Sequence, residues 1–490
     1  MKRMHSMIAL LVILAVLAGL YAYLSHSRGN EQAEQEVIEI SELDENKITQ
    51  IVLKNKNTGE ELVFERQTRA SDKKEQDSGS GENDEPDIET IWVVTKPYPV
   101  ELIQSKVTEL AGSFSDLTAE IIVEEDPQDL SIYGLENPSV IGTVSLQDGT
   151  KTTLYLGNKT ADGITWYLMK EGDPKVYTVA DLHGLRLSYS LSEFRNRDLP
   201  DIDLSTIKYL YISGEDKREI EIIGKKNSGE EQSGYNQDIL EINKPYKTTM
   251  RADSYKLKKI LGNINDLTIR EFIDDHPADY SEYGLDQPGL SLIIEDEENT
   301  LELVFGSSLE DGTIYFKTGD SEGVYLMDEA SIEFLSFEPF DILDKYVLWY
   351  NIQDIDEVII EGRGRKHTLS ITRTDEGLEE GEVQSDQTYF LDGKEVEKKY
   401  FEDFHKSLIG IVIDAEKAHS AHGTPELKIT YHFNKDDLKT RIIEFYPYDE
   451  GSCSLVLDGD MESEFLVYHK RVDWVFSSLD ELIAGHNRDE

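Results

Sequence analysis

Short runs that alternate apolar and polar residues recur along most of this chain, among them "ITQIVLK" from Ile48, "ELVFER" from Glu61 and "IWVVT" from Ile91. A period of two, rich in β-branched and aromatic residues, predicts strands with one buried face. Within "VELIQSKVTELAGSF" the residues Leu102, Ile103, Val107, Leu110, Ala111 and Phe114 fall instead at helical spacing. That spacing predicts one amphipathic helix laid on a sheet. Leu257, Ile260, Leu261 and Ile264 repeat it, and so do Tyr400, Phe401, Phe404 and Leu408. No strand–helix–strand alternation occurs, so the expected class is α+β with mostly antiparallel sheets.

The pattern recurs because the sequence does. "DLTAEIIVEEDPQDLSIYGLENP" (Asp116 to Pro138) aligns without a gap on "DLTIREFIDDHPADYSEYGLDQP" (Asp266 to Pro288). "KPYPVELI" from Lys96 pairs with "KPYKTTMR" from Lys244, and "LYLGNKTADGITWYL" from Leu154 with "LVFGSSLEDGTIYFK" from Leu303. A fainter third copy opens at Ile355 with "IDEVIIEGRGRKHTLSITR", and there "YGLENP" has become "HGTPEL" (His422 to Leu427). The organisation read from this is repeat unit 1 at 45–203, unit 2 at 204–351 and a degenerate unit 3 at 352–490. Polar stretches at 67–90, 225–237 and 374–387 all fall between the second and third strands of a unit. They read as loop insertions, whose length costs little closure entropy.

The N-terminus departs from this pattern. After a basic stub (1–6) comes "MIALLVILAVLAGLYAYL", uncharged from 7 to 24. As a helix it measures roughly 27 Å, close to a hydrocarbon core. Lys2 and Arg3 ahead of it place the stub in the cytoplasm and everything beyond it outside. A polar tether is read at 25–44. The same segment also fits a cleaved signal peptide, since "VLAG" at Val16 offers small residues.

Composition narrows the function classes. Acidic residues outnumber basic ones 99 to 49, for a formal charge of −50, which disfavours nucleic acid as a direct partner. The single cysteine, Cys453, precludes an intramolecular disulfide and a CxxC metal site.

In the repeated motif, Gly134 and Gly284 are expected at positive φ, and Pro138 and Pro288 at the first position or edge of a strand. Tyr133, Leu135, Tyr283 and Leu285 would then cover the sheet end. The favoured reading is a structural corner; a ligand site used twice is the alternative. "YGLENP", "LYLGNKTADGITWYL" and "GDPKVYTV" resemble the bacterial domain-of-unknown-function 4340 family. That resemblance implies one N-terminal span, repeated α+β domains and association with ABC-type transporter components, and it brings no catalytic residues.

Candidate chemistry is sparse. "HSAHG" (His419, His422) lacks a helical pattern and a carboxylate partner, so no metal site is assigned. "GRGRKH" at Gly362 precedes a strand and reads as a hairpin turn, not a phosphate loop. "STIK" at Ser205 opens a strand and lacks the companions of a serine acylase. Cys453 has no evident basic neighbour to lower its pKa. "VEEDP" and "IDDHP" place acids at equivalent positions, Glu124 and Asp274, where a solvated strand end is favoured over a glycosidase pair or a Ca²⁺ site. No catalytic, cofactor or metal residues are therefore expected. The expectation is a single-pass protein of the bacterial cytoplasmic membrane with an extracytoplasmic, non-enzymatic body, serving as an accessory or assembly subunit of an ABC-type transporter or envelope complex. The alternative is an envelope polymer-binding protein or a glycan hydrolase using the repeated acids.

Overall fold

The computed structural model describes residues 37–70, 88–225, 239–319, 321–348, 350, 352–374, 386–434 and 439–486. The segments read as stub (1–6) and anchor (7–24), and most of the tether, lie outside these residues. Among the described residues no helix is long and apolar enough to cross a membrane.

Three large sheets carry the fold. The first uses β2 (Ile48–Asn55), β3 (Glu61–Ala70), β4 (Ile88–Lys96), β6 (Ile121–Glu124), β7 (Val140–Leu146), β8 (Lys151–Lys159), β9 (Thr165–Lys170) and β10 (Val176–Ala180). Their spatial order is β4-β3-β2-β7-β8-β9-β10-β6. A separate ribbon pairs β1 (Ile38–Glu42) with β5 (Asp116–Ala119). β1 comes from the segment read as tether; Ile40 is buried and Lys170 donates to its carbonyl at 2.8 Å, so the end of that segment belongs to the fold.

The second sheet uses β11 (Tyr209–Gly214), β12 (Lys217–Lys225), β13 (Ile239–Lys244), β14 (Met250–Arg251), β15 (Glu271–Asp274), β16 (Leu290–Glu295), β17 (Thr300–Ser308), β18 (Thr313–Thr318) and β19 (Val324–Asp328). The third uses β20 (Ile355–Gly362), β21 (Arg365–Thr374), β22 (Asp386–Leu391), β23 (Lys394–Val396), β24 (Ala415–Ser420), β25 (Leu427–Phe433), β26 (Thr440–Pro447), β27 (Ser452–Leu457) and β28 (Glu462–Tyr468). Their orders, β14-β13-β12-β11-β16-β17-β18-β19-β15 and β23-β22-β21-β20-β25-β26-β27-β28-β24, reproduce the first sheet with one added edge strand. Neighbouring strands run antiparallel throughout.

One face of each sheet is covered by helix, as the alternation requires. α1 (Gln104–Ser115) buries Val107, Leu110, Ala111 and Phe114, and α2 (Asp181–Ser188) adds Leu187. α1 begins after Leu102 and Ile103; Leu102 bridges to Arg195 instead. α3 (Ser254–Ile260) is short and tightens into a 3-10 turn through Asp266, which still buries Leu261 and Ile264. α4 (Lys398–Ile409) buries Phe401, Phe404 and Leu408, and α5 (His469–His486) packs beside it.

The connection after β6 decides what happens on the other face. β6 ends at Glu124 opposite Val176, the first residue of β10. β7 starts at Val140 opposite Leu156, late in β8. Residues 125–139 must therefore cross β10, β9 and β8 diagonally, over a face. Leu168 of β9 joins the helix-covered core, so Tyr167 points the other way, and the Tyr133 ring packs on it at 5.0 Å. The crossing thus lies on the face opposite the helices. Residues 275–289 repeat it, with Tyr283 on Tyr315 at 5.1 Å.

The chain divides into two compact units, Met1–Arg197 and Asp198–Glu490. Unit one has its own core, from Ile40 to Phe194. In unit two the second and third sheets share a continuous core, from Ile202 to Leu482. Their seam pairs the rings of Tyr246 and Phe465 at 4.9 Å and sets the Arg218 guanidinium against both oxygens of Glu416. Backbone bonds join it as well, Val347 N to the Ile411 carbonyl at 3.0 Å and Ile413 N to the Lys345 carbonyl at 2.7 Å.

A shared core predicts cooperative unfolding. Phe465→Ala should cost about 3–5 kcal/mol and destabilise both sheets of unit two together in hydrogen exchange; protection lost only in the third sheet would contradict the seam. A second expectation concerns the first insertion. Ala70 and Ile88 are directly paired across β3 and β4, so replacing residues 71–87 by Asn-Gly suits a two-residue hairpin. Calorimetry should show Tm moving by no more than about 2 °C; a larger fall would mean that the segment contributes to the packed body.

Candidate functional site

The repeated motif folds alike in both copies. Asp129 caps a 3-10 turn, Leu130–Tyr133, accepting from Ser131 N at 2.9 Å and Ser131 Oγ at 2.6 Å. Asp279 caps Tyr280–Tyr283 in the same way. The turns end at Gly134 (φ 69°) and Gly284 (φ 70°), in the left-handed region where a β-carbon is strained. Leu135 and Leu285 then turn inward and are buried. Pro138 and Pro288 stand two residues before β7 and β16 rather than at their first positions.

The turn docks on a bulge. The β8–β9 register shifts between Leu156 and Lys159, and the β17–β18 register between Phe305 and Ser308. A β-carbon at Gly157 would overlap the Tyr133 carbonyl, and one at Gly306 the Tyr283 carbonyl. The glycines of "LYLG" and "LVFG" therefore belong to the same device as "YGL". The sequence reading placed these residues over the sheet end. They lie on its open face, because the connection has to cross that face.

The repeated acids are part of this device. The Tyr133 hydroxyl donates to Glu124 Oε2 at 2.8 Å, and the Tyr283 hydroxyl to Asp274 Oδ2 at 3.3 Å. The bond to Glu124 holds the Tyr133 phenol above its ordinary pKa, with burial adding to it. One acid of each pair thus ties the start of the crossing to its corner.

Other sequence candidates resolve into local structure. His419 bonds the Lys417 carbonyl and Ser454 Oγ, each at 2.7 Å. Arg363 and Gly364, with φ of 49° and 73°, form the two-residue turn between β20 and β21. Ser205 sits in a turn before β11, where its hydroxyl donates to Asp203.

Cys453 is different, and here the sequence reading is corrected. It does have a basic neighbour: His469 Nδ1 lies 3.7 Å from its Sγ. The same Nδ1 is 3.3 Å from Glu426 Oε2, and the three donor atoms lie within 4.8 Å of one another. His469 Nε2 stands 3.2 Å from the Asp449 carbonyl. Glu426 Oε2 is shielded from solvent and makes no hydrogen bond; the Arg363 guanidinium is 3.7 Å away. Burial pushes the Cys453 thiol up to about 12, and the Glu426 charge adds to the effect. Spacings of 27 and 16 residues match no motif, so only the register of β25 to β28 brings these three together.

A family described as "Domain of unknown function (DUF4340)" matches residues 92–250 and 241–415. Each match starts inside one sheet and ends inside the next, and each contains one glycine corner. Comparison with curated proteins gives no match, and neither does comparison with solved structures.

The corner geometry sets an expectation for substitution. Gly157→Ala and Gly306→Ala should each cost about 1–3 kcal/mol, because a backbone carbonyl must move. Gly149→Ala, at positive φ with no atom near its β-carbon, reports backbone strain alone. Urea unfolding that ranks Gly157→Ala no worse than Ala substitution at exposed, negative-φ Gly289 would contradict the docking.

Proposed function

The chain belongs to the DUF4340 family, and from that premise we propose that it is a membrane-anchored, extracytoplasmic binding or assembly subunit, not an enzyme. The observation that carries this reading is the use made of the repeated acids. A glycosidase needs two carboxyl groups facing a substrate, whereas Glu124 and Asp274 accept from tyrosines of their own corners. The apolar segment at 7–24 supplies the anchor in this reading, with the body on the outer side of a bacterial cytoplasmic membrane. An anchored body meets its partners laterally, and strands at a sheet edge, such as β6, offer backbone groups for strand addition. The resemblance to transporter-associated members makes components of an ABC-type transporter the proposed partner. Ile132, at the crest of the first corner, is 67% exposed, and Ile164 in the β8–β9 turn is 65% exposed. Singly these are ordinary surface residues, and a protein contact would bury them.

Mild-detergent extracts of the native membrane should yield the chain together with transporter permease components. The double variant Glu124→Gln, Asp274→Asn should keep that association. Recovery of the chain alone, with hydrolysis of wall glycan that the double variant loses, would establish the enzyme alternative instead.

A further inference from the structure

We infer that Glu426, Cys453 and His469 form a binding site for a divalent d-block cation of the zinc type. Ligands at about 2.0–2.3 Å in a tetrahedral shell stand roughly 3.3–3.7 Å apart. Two of the three separations, 3.3 Å from His469 Nδ1 to Glu426 Oε2 and 3.7 Å to Cys453 Sγ, fall at the two ends of that range, and the third, Cys453 Sγ to Glu426 Oε2, is within 4.8 Å, so the carboxylate or the thiol has to close in on a bound ion. The ring has its tautomer set by its other nitrogen. A carbonyl only accepts, so Nε2 carries a proton toward Asp449, which leaves Nδ1 as the nitrogen that can offer a lone pair to a cation. A carboxylate oxygen out of reach of water and without a hydrogen bond calls for a cation, and the nearest, the Arg363 guanidinium, stands 3.7 Å away, too far for a hydrogen bond.

The equivalent positions in the other sheets set this cluster apart. Cys453 pairs with Val467, two residues before His469. Trp166 pairs likewise with Val179, two before Asp181, and Ile314 with Met327, two before Glu329. The backbone N–H of Glu426 bonds the Phe445 carbonyl, as that of Ser139 bonds Leu156 and that of Gly289 bonds Phe305. The three sites are thus Ser139, Trp166 and Asp181; Gly289, Ile314 and Glu329; and Glu426, Cys453 and His469. In the first, the Trp166 Nε1–H closes onto Asp181 at 2.7 Å. The third alone assembles sulfur, nitrogen and carboxylate donors, a borderline set that suits zinc. It also lies outside both spans matched by the family.

Arg363 is the cation facing Glu426, and it is also paired with Asp473 and laid over the Phe476 ring at 4.6 Å. Asp449, whose side chain is taken up by Gly451 N and Ser452 Oγ, adds a further negative charge nearby. Binding converts the Cys453 thiol to a thiolate and releases its proton to solvent, which makes uptake favour higher pH.

The test uses the full chain, stripped with chelator and titrated with Co²⁺ and then Zn²⁺. One equivalent of Co²⁺ should give a thiolate-to-metal charge-transfer band, and Zn²⁺ should displace it with that band lost. Cys453→Ser should abolish the band. Glu426→Gln should keep it and weaken affinity by at least about tenfold, since even outer-shell changes cost about 10–100-fold. His432→Ala should change nothing. Folding of each variant is checked by circular dichroism, and Glu426→Gln, at a half-buried position, carries the test if Cys453→Ser does not fold. No charge-transfer band in the folded wild type, or an affinity indifferent to Glu426→Gln, would reduce the cluster to a histidine–carboxylate ion pair beside an inert thiol. Either metal result is independent of whether the chain captures a transporter.

Discussion

The constraint on which this architecture turns is the passage of the chain from the edge strand β6 back to the central strand β7. Both run in the same direction with three strands between them, so the connection has to traverse a face of the sheet. Strands spaced about 4.8 Å apart make that traverse nearly 20 Å wide, before any travel along the strands. With residues 125–139 available, the chain can fold a capped 3-10 turn on the way. The turn has to be held down, and the Tyr133 carbonyl resting on Gly157 does that. The Tyr133–Glu124 bond secures the other end. The second sheet solves the same problem with Tyr283, Gly306 and Asp274.

In the third sheet the same connection is shortened. Only residues 421–426 join β24 to β25. At about 3.3 Å per residue they have little length to spare, which leaves no room for a capped 3-10 turn. The bulge disappears with it, and β26 pairs with β27 without a register shift. Ala421 then packs on Tyr446 and Val456 on the open face, in place of a tyrosine corner. The shortened connection delivers Glu426 to the start of β25, next to Cys453 and His469. The degenerate "HGTPEL" is therefore a different solution to one topological demand, and the donor cluster is its by-product.

Fusion of the second and third sheets through one core bears on the proposed assembly role. Tyr246 comes from a "KPY" segment present in both of the first two repeats, but only the second copy has a following sheet in the same unit to receive its ring. A shared core makes unit two a rigid platform, while the first sheet keeps a separate core of its own. A subunit that docks through exposed side chains needs such rigidity, since ordering a surface on binding costs affinity.

The sequence by itself determined the strands, the covering helices and the repetition, because these arise from local periodicity and from side chains that must alternate between core and water. It also marked the glycine corner, since positive φ leaves a glycine behind in each copy. It did not disclose that Gly157 and Gly306 answer to Tyr133 and Tyr283, or that Glu124 and Asp274 serve those tyrosines. Such pairings depend on which strands are neighbours, and strand order is set by long-range closure of the sheet and not by any local pattern. The same reason hid the cluster in the third sheet. Glu426, Cys453 and His469 are far apart along the chain and share no motif; the antiparallel register of four strands alone places them within reach of one ion.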